Sequence, residues 1–363
     1  MVPPPVDSQL ITERAAFRER FPLPPALEAR YMLAGKQEFT RFFLPARDTV
    51  EAAYYASADQ RTTPSERTRR FLGAMMNPII GRPMRDAEHF YQTFGRLMRW
   101  AWLSISLGLY DEAIQGVEDT AQRLLLAQVH TVDTNWRPAV SHIATEKQGR
   151  GLIVEVGTGR GNSVVRLATL LPETRIVSIT ISPEQHELVT SIVRELGLKN
   201  VEIRRGDLLD PAMTSDLVGQ ADAAGAIEVV LHFSPARKVE AMQRLARVLK
   251  PGAPLCFIDT AIARPLSKLA ERYYANQSIW FGLREQYFQL FEQAEITPVS
   301  YVDYTADLNQ GFKESTQVMR KFRPQLRQEF GRLMSWLWPE VPGTIYVRTL
   351  KNLRYVHVVG VKR

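Results

Sequence analysis

The sequence predicts an α/β fold: a mostly parallel sheet of seven strands with helices on both faces, preceded by a helical N-terminal extension. Three observations carry this. From residue 150 onward, short apolar runs alternate with longer amphipathic ones, the pattern of strand–helix–strand units that build a parallel sheet. The first of these runs, "GLIVEV", is followed by three glycines spaced by single residues, Gly157, Gly159 and Gly161, and then by a helical run opening at Ser163. The composition, 45% apolar and 23% charged over 363 residues, is that of a globular chain that buries a core without a disulfide or metal staple.

Taken in order, residues 1–70 are rich in Pro, Arg and Glu. They carry short helical runs such as "LEARYMLAGKQEFTRFFL" and read as an N-terminal extension, with Pro64 in the polar stretch "ADQRTTPSER" as a linker. Residues 71–149 read as a helical cap region dense in aromatics: Phe90, Tyr91, Phe94, Trp100, Trp102 and Tyr110. The core is expected over 150–363. Its strands are "GLIVEV", "RIVSITI", "VEIRRGD", "ADAAGAIEVV", "PLCFIDT", "ITPVSYVDY" and "RYVHVVGVK". Between them, "PEQHELVTSIVRELG" has Pro183 suited to a first helical turn and Gly197 to its end, and "PARKVEAMQRLARVLKPG" closes on Pro-Gly. A helical lid insertion is expected at about 305–350, between the sixth and seventh strands. There Met319, Phe322, Leu326, Phe330, Leu333 and Leu337 recur at helical spacing, while Arg320, Arg323 and Arg327 form a separate stripe. Pro324 either kinks this helix or begins a new one.

Charge and cysteine content bound the function. The net charge of +7 is local, since residues 313–363 hold eleven Lys/Arg and three Glu. That pattern argues against a nucleic-acid partner, which calls for a broad basic face and a recognisable module. The apolar runs are too short for a membrane helix, so no membrane insertion is expected. The N-terminus lacks a basic-then-apolar signal pattern, and the single Cys256 suits a reducing compartment, so a cytoplasmic location is expected. No spaced His/Cys/Asp cluster reads as a metal site; His89, His130 and His142 lie in helical stretches and read as surface or core.

A strand, a glycine loop and a helix together cradle ligands, because glycines let backbone approach where a side chain would collide, and ligands of open α/β sheets bind beyond the carboxyl ends of the strands. The spacing here is G-x-G-x-G, with Asn162 where a dinucleotide motif has its third glycine, which counts against a pyrophosphate ligand. Glu155, two residues before the first glycine, suits a ligand carrying positive charge. S-adenosylmethionine (SAM) carries an ammonium and a sulfonium, and a carboxylate for the loop amides.

At this point the sequence resembles the class I SAM-dependent methyltransferases, which have a Rossmann-like fold. "VEVGTGRG" is similar to their first motif, "GDLLD" to the loop whose Asp holds the adenine amino group, "AIEVVLHF" to the motif after strand 4, and "LKPGAPLCFID" to the segment entering strand 5. The likeness spans about 150–363. "ITISPEQ", with Thr180 where most members have an acidic residue, resembles the small-molecule branch that holds cyclopropane-fatty-acid synthases and sterol and tocopherol C-methyltransferases. The resemblance implies S-adenosyl-L-methionine as cofactor. It places Glu155, Gly157, Thr158, Gly159 and Gly161 on its amino-acid end, Thr180, Ser182 and Gln185 on the ribose side, and Asp207 and Leu208 at the adenine. "LSISLGLYDEA" resembles the segment that precedes the core in that branch, where an N-terminal helix folds over SAM.

The same resemblance sets Glu228 and His232 beside the methyl group as the catalytic candidates. His232 either deprotonates an acceptor or packs under the cofactor; Glu228 either positions the acceptor and stabilises developing positive charge, or ties the loop to backbone amides. Leu231 stands where cyclopropane synthases have a bicarbonate-binding Glu, which argues against cyclopropanation. Trp280 and Tyr287, from the aromatics after strand 5, and Arg320 and Arg323 are the expected substrate-binding residues: aromatics suit a flat or greasy acceptor or a cation-like intermediate, and arginines an anionic one. The resulting expectation is methyl transfer to C or O of a lipophilic or aromatic small molecule, in secondary metabolism. The alternatives are an isoprenoid-diphosphate C-methyltransferase working through a carbocation, and a SAM-binding protein that does not methylate. Oligomeric state is not legible in the sequence.

Overall fold

A computed structural model describes residues 12–59, 63–76, 106–340 and 350–363. Its centre is a sheet of order β3-β2-β1-β4-β5-β8-β7. The strands are β1 Leu152–Val156, β2 Arg175–Thr180, β3 Val201–Arg205, β4 Ala223–Ile227, β5 Pro254–Ile262, β6 Gly282–Leu283, β7 Ile296–Asp303 and β8 Leu353–Lys362. The seven strands of that path match the seven expected. The two-residue β6, too short to leave a sequence signal, pairs with β5 off the path. Pairing is parallel from β3 through β5. β8 runs antiparallel to both β5 and β7, entering between them.

Both faces of the sheet are covered, so its inner strands are buried and mainly apolar: all five residues of β1 are buried, Glu155 being its one charged member. Alternate side chains enter opposite cores, as the two-residue strand period requires. Ile153 joins one hydrophobic cluster; Leu152, Val154 and Val156 join the other. On the first face, the helix Thr120–Glu146 lies against β4 and β5. Gly225 of β4 allows this, because a Cβ there would meet the Cys256 carbonyl oxygen at 2.3 Å and the Trp136 ring at 3.0 Å. The helix Asn162–Leu170 packs near β2, and Pro183–Glu195 near β2 and β3. On the second face lie Pro235–Val248 and Arg284–Gln293.

In the region read as a helical cap, the helix Thr120–Glu146 packs directly on the sheet. Phe90, Tyr91, Phe94, Trp100 and Trp102 lie outside the described residues, and Thr120–Glu146 is buried along most of its length because it supplies the sheet's inner covering layer. The insertion at 305–350 is present as the helices Thr305–Lys321 and Arg323–Leu337. Pro324 sits in the first turn of the second helix and so begins a new helix; the bend within that helix falls at Gly331. This insertion packs on Thr120–Glu146, on β8 and on the helix Pro64–Met76. Among the described residues no helix is long and apolar enough to cross a membrane.

Candidate active site

The carboxyl ends of β1, β2 and β4 open into one cavity, the position open α/β sheets reserve for ligands. The glycine loop forms its floor. Gly157, Gly159 and Gly161 all have positive φ, of 84°, 55° and 86°. At Gly157 a side chain would be crowded: a Cβ there would lie 2.3 Å from Val229 Cγ2 of the loop after β4. Beneath the loop, Ser178 Oγ donates to Glu155 Oε2 at 2.7 Å and pairs with Thr158 Oγ1 at 2.8 Å. Burial pushes the Glu155 carboxyl up to about 7, against hydrogen bonds from Ser163 and Ser178. A cation in the cavity would restore its charge.

These residues fit a nucleoside with a cationic amino-acid tail on an independent ground. Asn162, the first residue of the helix after the loop, is 1% exposed and forms part of the cavity wall. Neither its amide oxygen nor its nitrogen has a protein partner. A buried amide without partners costs free energy unless a ligand or water supplies them.

On the β2 side, Thr180 Oγ1 donates to Gln185 Oε1 at 2.8 Å, and both residues line the cavity. Ser182 does not: it caps the next helix, its Oγ accepting from Gln185 N at 3.3 Å, so its expected cofactor contact gives way to a capping role. Asp207 and Leu208 line the far end. The Asp207 carboxylate accepts from Leu209 N at 3.0 Å and from the Arg237 guanidinium at 2.7 Å.

The loop after β4 closes the opposite wall. Glu228 has a φ of 55°, uncommon for a side-chain-bearing residue. Its Oε1 accepts from Tyr355 Oη of β8 at 2.7 Å. Burial, with a smaller contribution from Asp259, lifts its carboxyl to about 8 against the Tyr355 hydrogen bond, so Glu228 is a neutral acid at pH 7. His232 ends the short helical turn Val230–His232. Its Nδ1 lies 2.8 Å from the Ser278 carbonyl oxygen. A carbonyl only accepts, so Nδ1 carries the proton and Nε2 is the accepting nitrogen. Burial drives the imidazole down to about 4, the bond to Ser278 opposing it and Lys238 adding to it.

Trp280 forms the neighbouring wall and is clasped from below. Its backbone N–H donates to the Leu231 carbonyl at 2.7 Å, and its own backbone carbonyl accepts from Lys238 Nζ. Desolvation lowers the buried Lys238 ammonium to about 8, against the attraction of Asp259.

The other expected substrate residues lie elsewhere. Tyr287, one of the aromatics after strand 5, is 1% exposed in the second core, where its hydroxyl donates to Asp259 Oδ2 at 2.9 Å. Arg320 and Arg323 pair with Glu340 on the surface, at 2.9 Å in each case, and neither lines the cavity. Arg160, Asn162, Ser163, Arg237, Ser278 and Ser106 line it without having been expected. Ser106 stands in the "LSISLGLY" stretch whose placement near the cofactor the resemblance implied. Among the described residues no group of three or more His, Cys, Asp or Glu side chains could hold a metal ion.

Residues 153–252 match a family model described as a methyltransferase domain. No curated protein matches the sequence. Among solved structures, the [4+2]-cyclase SpnF is 18% identical with a TM-score of 0.62, covering 77% of this chain and 98% of its own. Geranyl diphosphate C-methyltransferase from Streptomyces coelicolor A3(2) is 18% identical with a TM-score of 0.54, covering 76% and 98%. The cyclopropane synthase MmaA2 from Mycobacterium tuberculosis is 14% identical with a TM-score of 0.56, covering 70% and 92%. At these identities the likeness is one of fold.

Proposed function

We propose that this chain, whose core is a class I SAM-dependent methyltransferase domain of the small-molecule kind, methylates a flat or lipophilic neutral acceptor at oxygen or carbon. The observation that carries the acceptor assignment is that Glu228, His232, Phe233 and Trp280 share one cavity with the glycine loop. When bound, S-adenosyl-L-methionine supplies an electrophilic methyl group on its sulfonium. The loop amides and Glu155 would receive the amino-acid end, Thr180 and Gln185 the ribose, and Asp207 and Leu208 the adenine. Trp280 and Phe233 would hold the acceptor face-on and exclude water, and fixing reactants in line supplies about 7–11 kcal/mol of a barrier. His232, neutral at pH 7, accepts a proton at Nε2 as the acceptor gains its methyl; protonated Glu228 donates a hydrogen bond that orients the acceptor.

Two features weigh against an isoprenoid diphosphate. Among the described residues, the two arginines lining the cavity, Arg160 and Arg237, are already paired with Glu51 and Asp207, and the arginine stripe lies outside it. We place the reaction in cytoplasmic secondary metabolism, a reading supported by the buried lone thiol and the apolar acceptor wall. The test incubates the protein with SAM and phenols, polyketide-like enols, unsaturated lipids or prenyl diphosphates, reading S-adenosylhomocysteine and product mass. Product without S-adenosylhomocysteine would instead favour a non-methylating role, as the fold shared with a [4+2]-cyclase invites. Turnover confined to prenyl diphosphates would overturn the neutral-acceptor assignment.

A further inference from the structure

The N-terminal extension has no counterpart in the resemblance described above, yet its longest helix, Leu33–Asp59, crosses three core helices: Thr120–Glu146, Asn162–Leu170 and Pro183–Glu195. The last two begin at the two walls of the cofactor cleft. One end of the crossing helix is anchored by a buried charge cluster. Lys36 lies 3.9 Å from Asp133, Asp133 takes two nitrogens of Arg166 at 2.8 and 3.1 Å, and Arg166 also donates to the Arg30 carbonyl at 2.6 Å.

About four turns further along, Glu51 and Tyr55 project from one face, one turn apart. Glu51 accepts from the guanidinium of Arg160, the residue between Gly159 and Gly161, and the two side chains are only 4% and 6% exposed. Tyr55 Oη donates to Glu184 Oε1 at 2.6 Å, and Glu184 immediately precedes Gln185. One helix thus grips the glycine loop with one arm and the ribose wall with the other.

We propose that Leu33–Asp59 is a positioning element that sets the spacing of the two cofactor walls, and that Glu51 and Tyr55 are its positioning residues. The proposal rests on the assignment of this cavity to SAM. A buried guanidinium that loses its carboxylate is driven toward other acceptors, and Arg160 is joined through the backbone to Gly159 and Gly161, so a strained Arg160 side chain bears on the loop. The extension therefore serves nucleoside binding as well as stability.

The experiment measures S-adenosylhomocysteine affinity by calorimetry alongside the melting temperature, in the full chain. Glu51→Gln is expected to lose on the order of tenfold in affinity, Glu51→Asp to recover part of it, and Tyr55→Phe, which removes one hydroxyl, to lose a few-fold with the fold intact. Lowered melting temperature with wild-type affinity in Glu51→Gln and Tyr55→Phe would overturn the proposal, leaving the helix a purely structural strap. Should Glu51→Gln fail to fold, Tyr55→Phe decides by the same criterion. A wild-type chain that does not bind S-adenosylhomocysteine would overturn the cofactor assignment itself, a distinct result.

Discussion

Replacing Gly159 by valine separates binding from folding more cleanly than any other change in the loop. A Cβ at this position meets only the Gly157 carbonyl oxygen, at 3.9 Å, so the protein has room for a side chain. The backbone cost is that of a φ of +55° for a β-branched residue, about 1–2 kcal/mol. That is well inside the roughly 5–15 kcal/mol by which folded domains are stable, and corresponds to a melting temperature lower by no more than about 8 °C. Because Gly159 lines the cavity, the added carbons occupy ligand space. Overpacking of that kind costs about 1–3 kcal/mol, or between fivefold and a hundred-and-fiftyfold, roughly, in affinity. Gly157→Ala behaves differently. Its methyl collides with Val229, so it weakens the fold first, and Val229→Ala should rescue it. The assay is calorimetric titration of S-adenosylhomocysteine with a parallel melting curve. A folded Gly159→Val chain with unchanged affinity would refute the placement of the nucleoside on this loop.

Three further outcomes are expected. Glu228 has its folded pKa raised to about 8, so its contribution to stability is complete below the unfolded carboxylate pKa near 4.5 and is lost as pH rises through 8; Glu228→Gln should flatten that decline in denaturant melts between pH 5 and 8, and an unchanged slope would contradict the half-buried neutral acid. His232 has its folded pKa lowered to about 4, so its contribution is present above about 6.5 and lost as pH falls through 4; an NMR titration should find the imidazole neutral at pH 6, and a midpoint near 6.5 would remove its standing as a desolvated base. Arg320→Ala and Arg323→Ala break half-exposed pairs with Glu340, worth about 0–1 kcal/mol each, and should leave S-adenosylhomocysteine affinity and turnover at wild-type level; lost turnover would return them to the substrate site.

The strands and the glycine floor were legible because each has a local cause. Parallel strands covered on both faces read as near-continuous apolar runs, and a loop pressed against backbone and ligand calls for glycine. Thr180 and Gln185, which bond to each other five residues apart, were legible only through the likeness of "ITISPEQ" to the small-molecule branch. The order in which the strands pair is set by long-range topology and leaves no local signal. Arg320 and Arg323 misled because helical spacing reports which side chains share a face, but not what that face meets, and Tyr287 because a run of aromatics does not say which rings face the core. The partners that decide their roles, Glu340 and Asp259, come from other elements. Arg160 was invisible as a structural arginine because its carboxylate lies 109 residues upstream. The Lys238 clasp likewise depends on a carbonyl 42 residues away. Long-range polar pairing has no period to read.

The placement of the last strand carries an implication for how this molecule is assembled. β8 is the final ribbon in chain order, yet it occupies an interior lane, bonded to β5 on one flank and β7 on the other. Until it arrives, both neighbours present bare amide rows, the template on which foreign strands attach, and pairing across so great a sequence separation is slow. Tyr355, which secures Glu228, rides in on that same ribbon. Closure of the Glu228 wall of the cavity must therefore be among the latest events of maturation, and nascent or refolding chains should be most prone to aggregate just before it.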